Sequence, residues 1–471
     1  ALILSSALTS AYIQTEQQHP LQKSSRAVPD LHGKFLHITD IHVDPYYENE
    51  ATIKSGCHRQ AKKHHKKKKR KGKLAGYWGS PTKGCDSPLR LAEHTIDWIG
   101  DSWKEEIDFI VWTGDNARHG LDNDLPRTSK EILALNQAMT YRVQDAFYLN
   151  DNKTIPIIPC IGNNDVHPHN RLQTVNMLET YGEMWRDFIP PDQMPIFRQG
   201  GYYAVDVAPG LRVLALNTLY FFDSNDAVNG CRDKNGPGHE HFEWMENQLN
   251  SARRDRARVY MIGHVPPTDR TFFESCLNRY TDLAIEYQEV IAGHLYGHVN
   301  MDHFTVLQKN QDSTQDIDDV DDDDSYEGND DVVNIAKKGK KYAHKLRKQY
   351  KKIQGNDPAV VIHVAPSIIP EYNPSFRINE YNTDPASSKF GTWTKYTQYY
   401  ADLNHYNDKK RPELEPPEFY IEYATDVDYG MTDLTTDSWI DLAQRMTQKG
   451  SKKSKKLWKK FVDNMFVQTR H

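Results

Sequence analysis

Five short apolar runs recur along the chain, and each stops on a small cluster of carboxylate, amide or imidazole side chains. They are KFLHITDIH (34–42), IDFIVWTGD (107–115), IPIIPCIGNND (155–165), RVYMIGH (258–264) and VIAGHLYGH (290–298). Runs this brief and continuous fit strands covered on both faces. Segments of helical period lie between them, among them 87–105 and 240–257, so the expected architecture is a layered α/β fold. The stretch 201–218 instead reads as a hairpin around a Pro-Gly turn.

In layered α/β folds functional groups gather beyond the carboxyl ends of the strands. Those ends carry Asp40 and His42, then Asp115, then Asn163, then His264, then His298 and Asn300. Each offers an oxygen or an imidazole nitrogen and none a thiolate, which suits hard to borderline divalent metals. Asp40 and His42 share a parity, so an extended backbone sends both to one side. A glycine precedes Asp115, Asn163, His264 and His298, where it lets backbone approach closely.

The remainder of the 471 residues is strongly segregated in charge, although the net charge is only −6. Lysines crowd into 62–73, 337–352 and 449–460, and acids into 312–331. Blocks of like charge read as solvated loops, or as a lure for a polyanion. The expected organisation is a polar tether over 1–30, a catalytic domain over 31–306 and 358–425 interrupted by a disordered charged insertion at 307–357, and a helical, lysine-rich region over 426–471. None of the five cysteines forms a CxxC, which argues against a zinc ribbon. Cys57 and Cys85 flank the first basic run, where a disulfide would staple a long loop. Cys231 and Cys276 are a second candidate pair, and Cys160 reads as a buried free thiol. The opening ALILSSALTSAY reads as the trimmed tail of a signal peptide or signal anchor. With the glycosylation acceptor Asn152-Lys153-Thr154 it points to a lumenal or extracellular protein.

The series D-x-H, GD, GN, GH and GH-x-N resembles the calcineurin-like metallophosphoesterases. The segments 40–47, 75–91, 263–267 and 365–378 resemble the acid sphingomyelinase-like branch of that superfamily. The GNND triplet, the GHVNMDHF ending and the lysine-rich insertions are most similar to fungal vacuolar endopolyphosphatases. The resemblance covers about 34–306 and 359–425 and implies a four-layer α-β-β-α sandwich. It also implies a dinuclear centre of divalent ions (Mn, Mg, Co or Zn). Asp115 would bridge the ions, Asp40 and His42 would complete one site, and Asn163, His264 and His298 the other. Two ions about 3.5–4 Å apart can activate water for in-line attack on phosphorus. The implied substrate is inorganic polyphosphate, cut at internal phosphoanhydride bonds, and the implied location is the vacuole lumen behind a single-pass type II anchor.

Two positions depart from the superfamily pattern. Asn164 stands where most relatives carry a histidine; it can hydrogen-bond phosphate but cannot act as an acid. His119, four residues after Asp115, matches the branch's leaving-group histidine, with His167 and His169 as reserves. Asn300 replaces the last imidazole with a carbonyl oxygen, which favours oxygen-loving ions such as Mn²⁺ or Mg²⁺; His294 and His303 lie close enough in sequence to compensate. Arg118, Arg171 and His169 are candidate phosphate contacts. The competing readings are a sphingomyelinase-like phosphodiesterase acting on a nucleotide or lipid, and a non-catalytic polyanion-binding protein. No base-reading module points to nucleic acid.

Overall fold

The computed structural model describes residues 31–60, 74–149, 153–172, 175–309, 333–353, 357–369 and 371–469. The tether, the first lysine run, the acidic run and Asn152 lie outside the described residues. The described residues form one compact unit.

Two six-stranded sheets carry the fold. The first runs in the order Tyr420–Ala424, Trp393–Tyr400, Ser375–Tyr381, Lys34–Ile38, Phe109–Trp112, Ile157–Pro159. The second runs His303–Gln308, Ala359–Val364, Ile291–Tyr296, Arg258–Ile262, Leu211–Ala215, Tyr203–Ala208. The ligand-bearing strands are parallel within each sheet: Leu36 pairs with Ile110, Ile110 with Ile157, and Tyr260 with Gly293. Parallel pairing delivers their carboxyl ends to one edge. The expected hairpin is present, with Val205 opposite Val213.

The sheets face each other across an aromatic layer in which Phe35 stacks on Phe109 at 4.8 Å and lies 5.5 Å from Tyr260. Trp393 closes that layer 5.4 Å from Tyr260. On the outer side of the first sheet, Ile96 and Ile99 of helix Leu89–Trp103 pack with Met139 and Val143 of helix Ser129–Ala146. Helices Pro237–Asp255 and Glu274–Glu286 bury Phe242, Met245 and Tyr280 in the larger core. Helices thus flank the paired sheets, giving the α-β-β-α arrangement.

Two boundaries differ from the sequence reading. Residues up to Gln308 continue a core strand, and Val333–Lys352 is a helix rather than a disordered loop. Its lysines mask an apolar stripe, Ala343, Leu346 and Tyr350, that is buried in the core. Tyr350 stacks on Phe304 at 4.7 Å and donates to its carbonyl at 2.7 Å. The C-terminal helices, Thr436–Thr447 and Lys452–Met465, pack beside it, and Arg347 lies over the Trp458 ring. Beneath them, buried Arg377 donates to Asp302 at 2.6 Å and sits 4.0 Å over the Tyr396 ring. Disulfides join Cys57 to Cys85 and Cys231 to Cys276, and Cys160 is free and buried.

Candidate metal centre

The loops that follow the ligand-bearing strands are knitted together by backbone hydrogen bonds. Asp40 N donates to Gly114 O, His42 N to Asp115 O, and Gly297 N to His264 O. Close approach explains two of the glycines. A Cβ on Gly162 would meet the Asp115 carboxylate, and one on Gly297 would meet Thr39 and Asp40. Buried Asp165 ties the second and third loops by accepting from the backbone N–H groups of Asp115, Asn116 and Gly162 at 2.8–3.0 Å. Asp40, His42, Asp115, His298 and Asn300 all hold left-handed φ, between 43° and 72°. For residues other than glycine that conformation costs about 1–2 kcal/mol each. It persists where surroundings over-determine it, characteristically at functional sites.

The side chains converge from both sheets. His264 Nε2 lies 3.1 Å from Asp115 Oδ2 and 2.9 Å from Asn163 Oδ1, and His298 Nδ1 lies 2.9 Å from the same Asn163 oxygen. His42 Nε2 sits 3.4 Å from Asp40 Oδ1 and 3.5 Å from Asp115 Oδ2. Each of these two histidines turns Nδ1 to a backbone carbonyl, Ala117 for His42 and Thr113 for His264. That contact fixes the tautomer and aims Nε2 at the carboxylates, as metal-binding imidazoles require. Asp40, His42 and Asp115 can together hold one cation, and Asp115, His264 and His298 another.

The electrostatics fit a cation. Burial opposes the charge on Asp115, yet His264 and His42 hold its carboxyl well below the usual range. Burial likewise opposes protonation of His42, but its hydrogen bond to Asp40 and the charges of Asp115 and Asp86 push it up to about 9. His264 is pushed up to about 9 against burial by Asp115. A field that holds protons on two buried imidazoles also suits divalent ions. The buried Oδ1 of Asn300 has no hydrogen-bond partner among the described residues, as an oxygen kept for a ligand would have. The donor set therefore fits divalent metals.

Around this centre the candidate residues separate. His119 turns Nδ1 to Asp86 at 2.7 Å and stacks on His42 with ring centroids 4.1 Å apart. Asn164 spends its backbone N–H and one amide hydrogen on Asp115, at 2.7 and 3.0 Å, so it positions that carboxylate. His169 Nε2 lies 3.1 Å from the Asn163 amide, and His167 is exposed. Arg118 is turned inward: it is 1% exposed and spends its donors on Glu131, Leu125 O and His119 O. It therefore braces its loop, and the expectation of a direct phosphate contact is corrected. Arg171 is exposed and lies 3.3 Å from Asp226. His294 and His303 do not compensate for Asn300; His294 is held by Tyr280 and His303 by Met301 O and Tyr342.

Sequence reasoning missed Asp86, Asp165 and Arg127. Asp86 follows Cys85, whose disulfide carries it to His119, a proximity no local pattern reveals. Asp165 stands inside the GNND triplet, so its polarity was visible but its backbone-binding role was not. Arg127 donates to Asn164 Oδ1 at 3.1 Å and to the Asn164 carbonyl, from a loop beyond the second motif.

A calcineurin-like phosphoesterase family model matches residues 33–301, and the chain belongs to this family. Several curated relatives carry the name endopolyphosphatase. The protein from Cryptococcus neoformans var. neoformans serotype D is 36% identical over an alignment covering 84% of this chain and 66% of its own length. Relatives from Debaryomyces hansenii and Saccharomyces cerevisiae are 32% and 28% identical, covering 88% and 93% of this chain and 76% and 85% of their own lengths. The chain spans less than two thirds of the Cryptococcus relative, and 57% of one from Yarrowia lipolytica. Among solved structures, a dimetal phosphatase from Danio rerio aligns with 78% of this chain and 96% of its own, at 10% identity and a TM-score of 0.42.

Proposed function

We propose that the chain is a metal-dependent hydrolase that cuts internal phosphoanhydride bonds of inorganic polyphosphate and releases shorter chains. The observation that carries this reading is the convergence of Asp40, His42, Asp115, Asn163, His264 and His298, together with an Asn300 oxygen that has no partner among the described residues. The relatives named endopolyphosphatase supply the substrate. Asp115 would be shared by two ions, with Asp40, His42 and Asn300 on one side and Asn163, His264 and His298 on the other. Bound divalent ions (Mn, Mg, Co or Zn) supply charge neutralisation at the phosphoryl oxygens and make water a competent nucleophile at neutral pH.

The protein's own groups do the rest. Asp165 and Asn164 hold the Asp115 loop and carboxylate in place. Asp86 holds the Nδ1 side of His119 at 2.7 Å and so fixes the ring against His42, from where His119 would deliver a proton to the departing phosphate oxygen. The lysine-rich helix Val333–Lys352 is anchored beside the fifth ligand loop, where Tyr342 contacts His303 at 2.7 Å. Its exposed charge suits a long polyanion.

Two disulfides support an oxidising compartment, and the vacuolar, membrane-anchored location belongs to the same proposal. No helix among the described residues is long and apolar enough to cross a membrane. The test is phosphorus NMR of long-chain polyphosphate during hydrolysis. Internal cutting raises the end-group signal before orthophosphate appears. Orthophosphate from the outset would make the action terminal, and inert polyphosphate beside a hydrolysed phosphodiester would replace the reading with a phosphodiesterase.

A further inference from the structure

Three arginines stand near the candidate centre, and they differ in what already neutralises them. Arg118 is paired with Glu131 at 2.6 Å, and Arg171 lies 3.3 Å from Asp226. Arg127 has no carboxylate within ion-pair distance among the described residues. Its two terminal nitrogens donate to neutral oxygens, the Asn164 side-chain and backbone carbonyls. Its Nε is buried and has no partner among the described residues.

A guanidinium largely withdrawn from water without a counter-charge is costly. Burial lowers its pKa, while Asp115, Asp165 and Asp86 act from a distance to keep the charge. Such a charge is maintained where an anion arrives to pair with it. Asn164 holds the Asp115 carboxylate with its backbone and amide N–H groups and receives Arg127 on its oxygen. The guanidinium is therefore one residue removed from the central ligand. Each terminal nitrogen carries a second N–H besides the one given to Asn164, and a planar guanidinium matches phosphate oxygens.

We propose that Arg127 is a substrate-binding residue that pairs with a phosphate oxygen of the chain lying at the metal centre. This rests on the reading of the centre as a polyphosphate site. It assigns to Arg127 the contact that sequence position suggested for Arg118.

The test compares wild type with Arg127→Gln and Arg127→Lys, all loaded with Mn²⁺. Polyphosphate hydrolysis and orthophosphate binding by calorimetry are measured on each. The expected result is at least a tenfold fall in kcat/KM and a tenfold weaker orthophosphate affinity for Arg127→Gln. Arg127→Lys should fall between, and the salt dependence of KM should lose about one unit of slope in Arg127→Gln. Metal stoichiometry should stay at the wild-type value in both variants, and Arg127→Lys, which keeps a donor for the Asn164 carbonyls, should keep the wild-type melting temperature. Unchanged orthophosphate affinity would overturn the proposal. So would a loss of metal or a fall in melting temperature in both variants, which would make the Asn164 contacts structural. If wild type leaves polyphosphate intact, the functional reading fails, yet weaker orthophosphate binding by Arg127→Gln would still support the contact.

Discussion

Replacing His241 with phenylalanine should stabilise the protein, and more so in acid. His241 is fully buried, stacked 4.0 Å from Tyr202 and 4.9 Å from Phe221. Among the described residues neither ring nitrogen has a hydrogen-bond partner in good geometry; the Asn217 backbone offers only weak help. Burial pulls its pKa down to about 3. At neutral pH the variant removes unsatisfied polar atoms, a gain of about 1–3 kcal/mol. Below pH 6.5 the unfolded chain takes up a proton that the folded protein refuses, so stability is lost as pH falls from 6.5 towards 3. At pH 5 that linkage costs about 2 kcal/mol, against about 0.2 at pH 7. Phenylalanine does not titrate and escapes this cost. For a chain of this size, unfolding entropy is about 0.9 kcal/mol/K, so the advantage in Tm should widen by about 2 °C between pH 7 and pH 5. Calorimetric melts in phosphate-free buffers measure it. An advantage that does not grow in acid, or a destabilised variant, would mean that burial does not keep a proton off His241.

Other consequences are as direct. Asp302→Asn strands buried Arg377 and should cost about 3–5 kcal/mol, whereas Asp302→Leu with Arg377→Met should recover most of it; denaturant melts decide. Removing Cys57 and Cys85, 28 residues apart, should cost about 3–4 kcal/mol of stability and loosen Asp86, lowering activity before the global melt. Asn300→His restores an imidazole and should shift the ratio of Zn²⁺- to Mn²⁺-supported activity towards zinc; an unchanged ratio would place Asn300 outside the ligand set.

The ligand-bearing loops were legible because both of their signals are local: continuous apolar runs for the strands, and a glycine before four of the ligands. Long-range proximity was not legible. Arg118 adjoins a motif in sequence and faces inward, whereas Arg127 is farther along and reaches Asn164 through the path of its loop. Helix Val333–Lys352 was hidden because its lysines outnumber the three buried residues that hold it. Asp302 and Arg377 lie 75 residues apart, and nothing near either one forecasts the pair.

The most direct test of the whole account is a gel of long-chain polyphosphate incubated with the protein, with Mn²⁺ or Mg²⁺ and then with chelator. Asp115→Asn runs alongside. Ladders of intermediate length should form that require metal, vanish with chelator and are absent in the variant. Ladders that persist with chelator, or in Asp115→Asn, would contradict it.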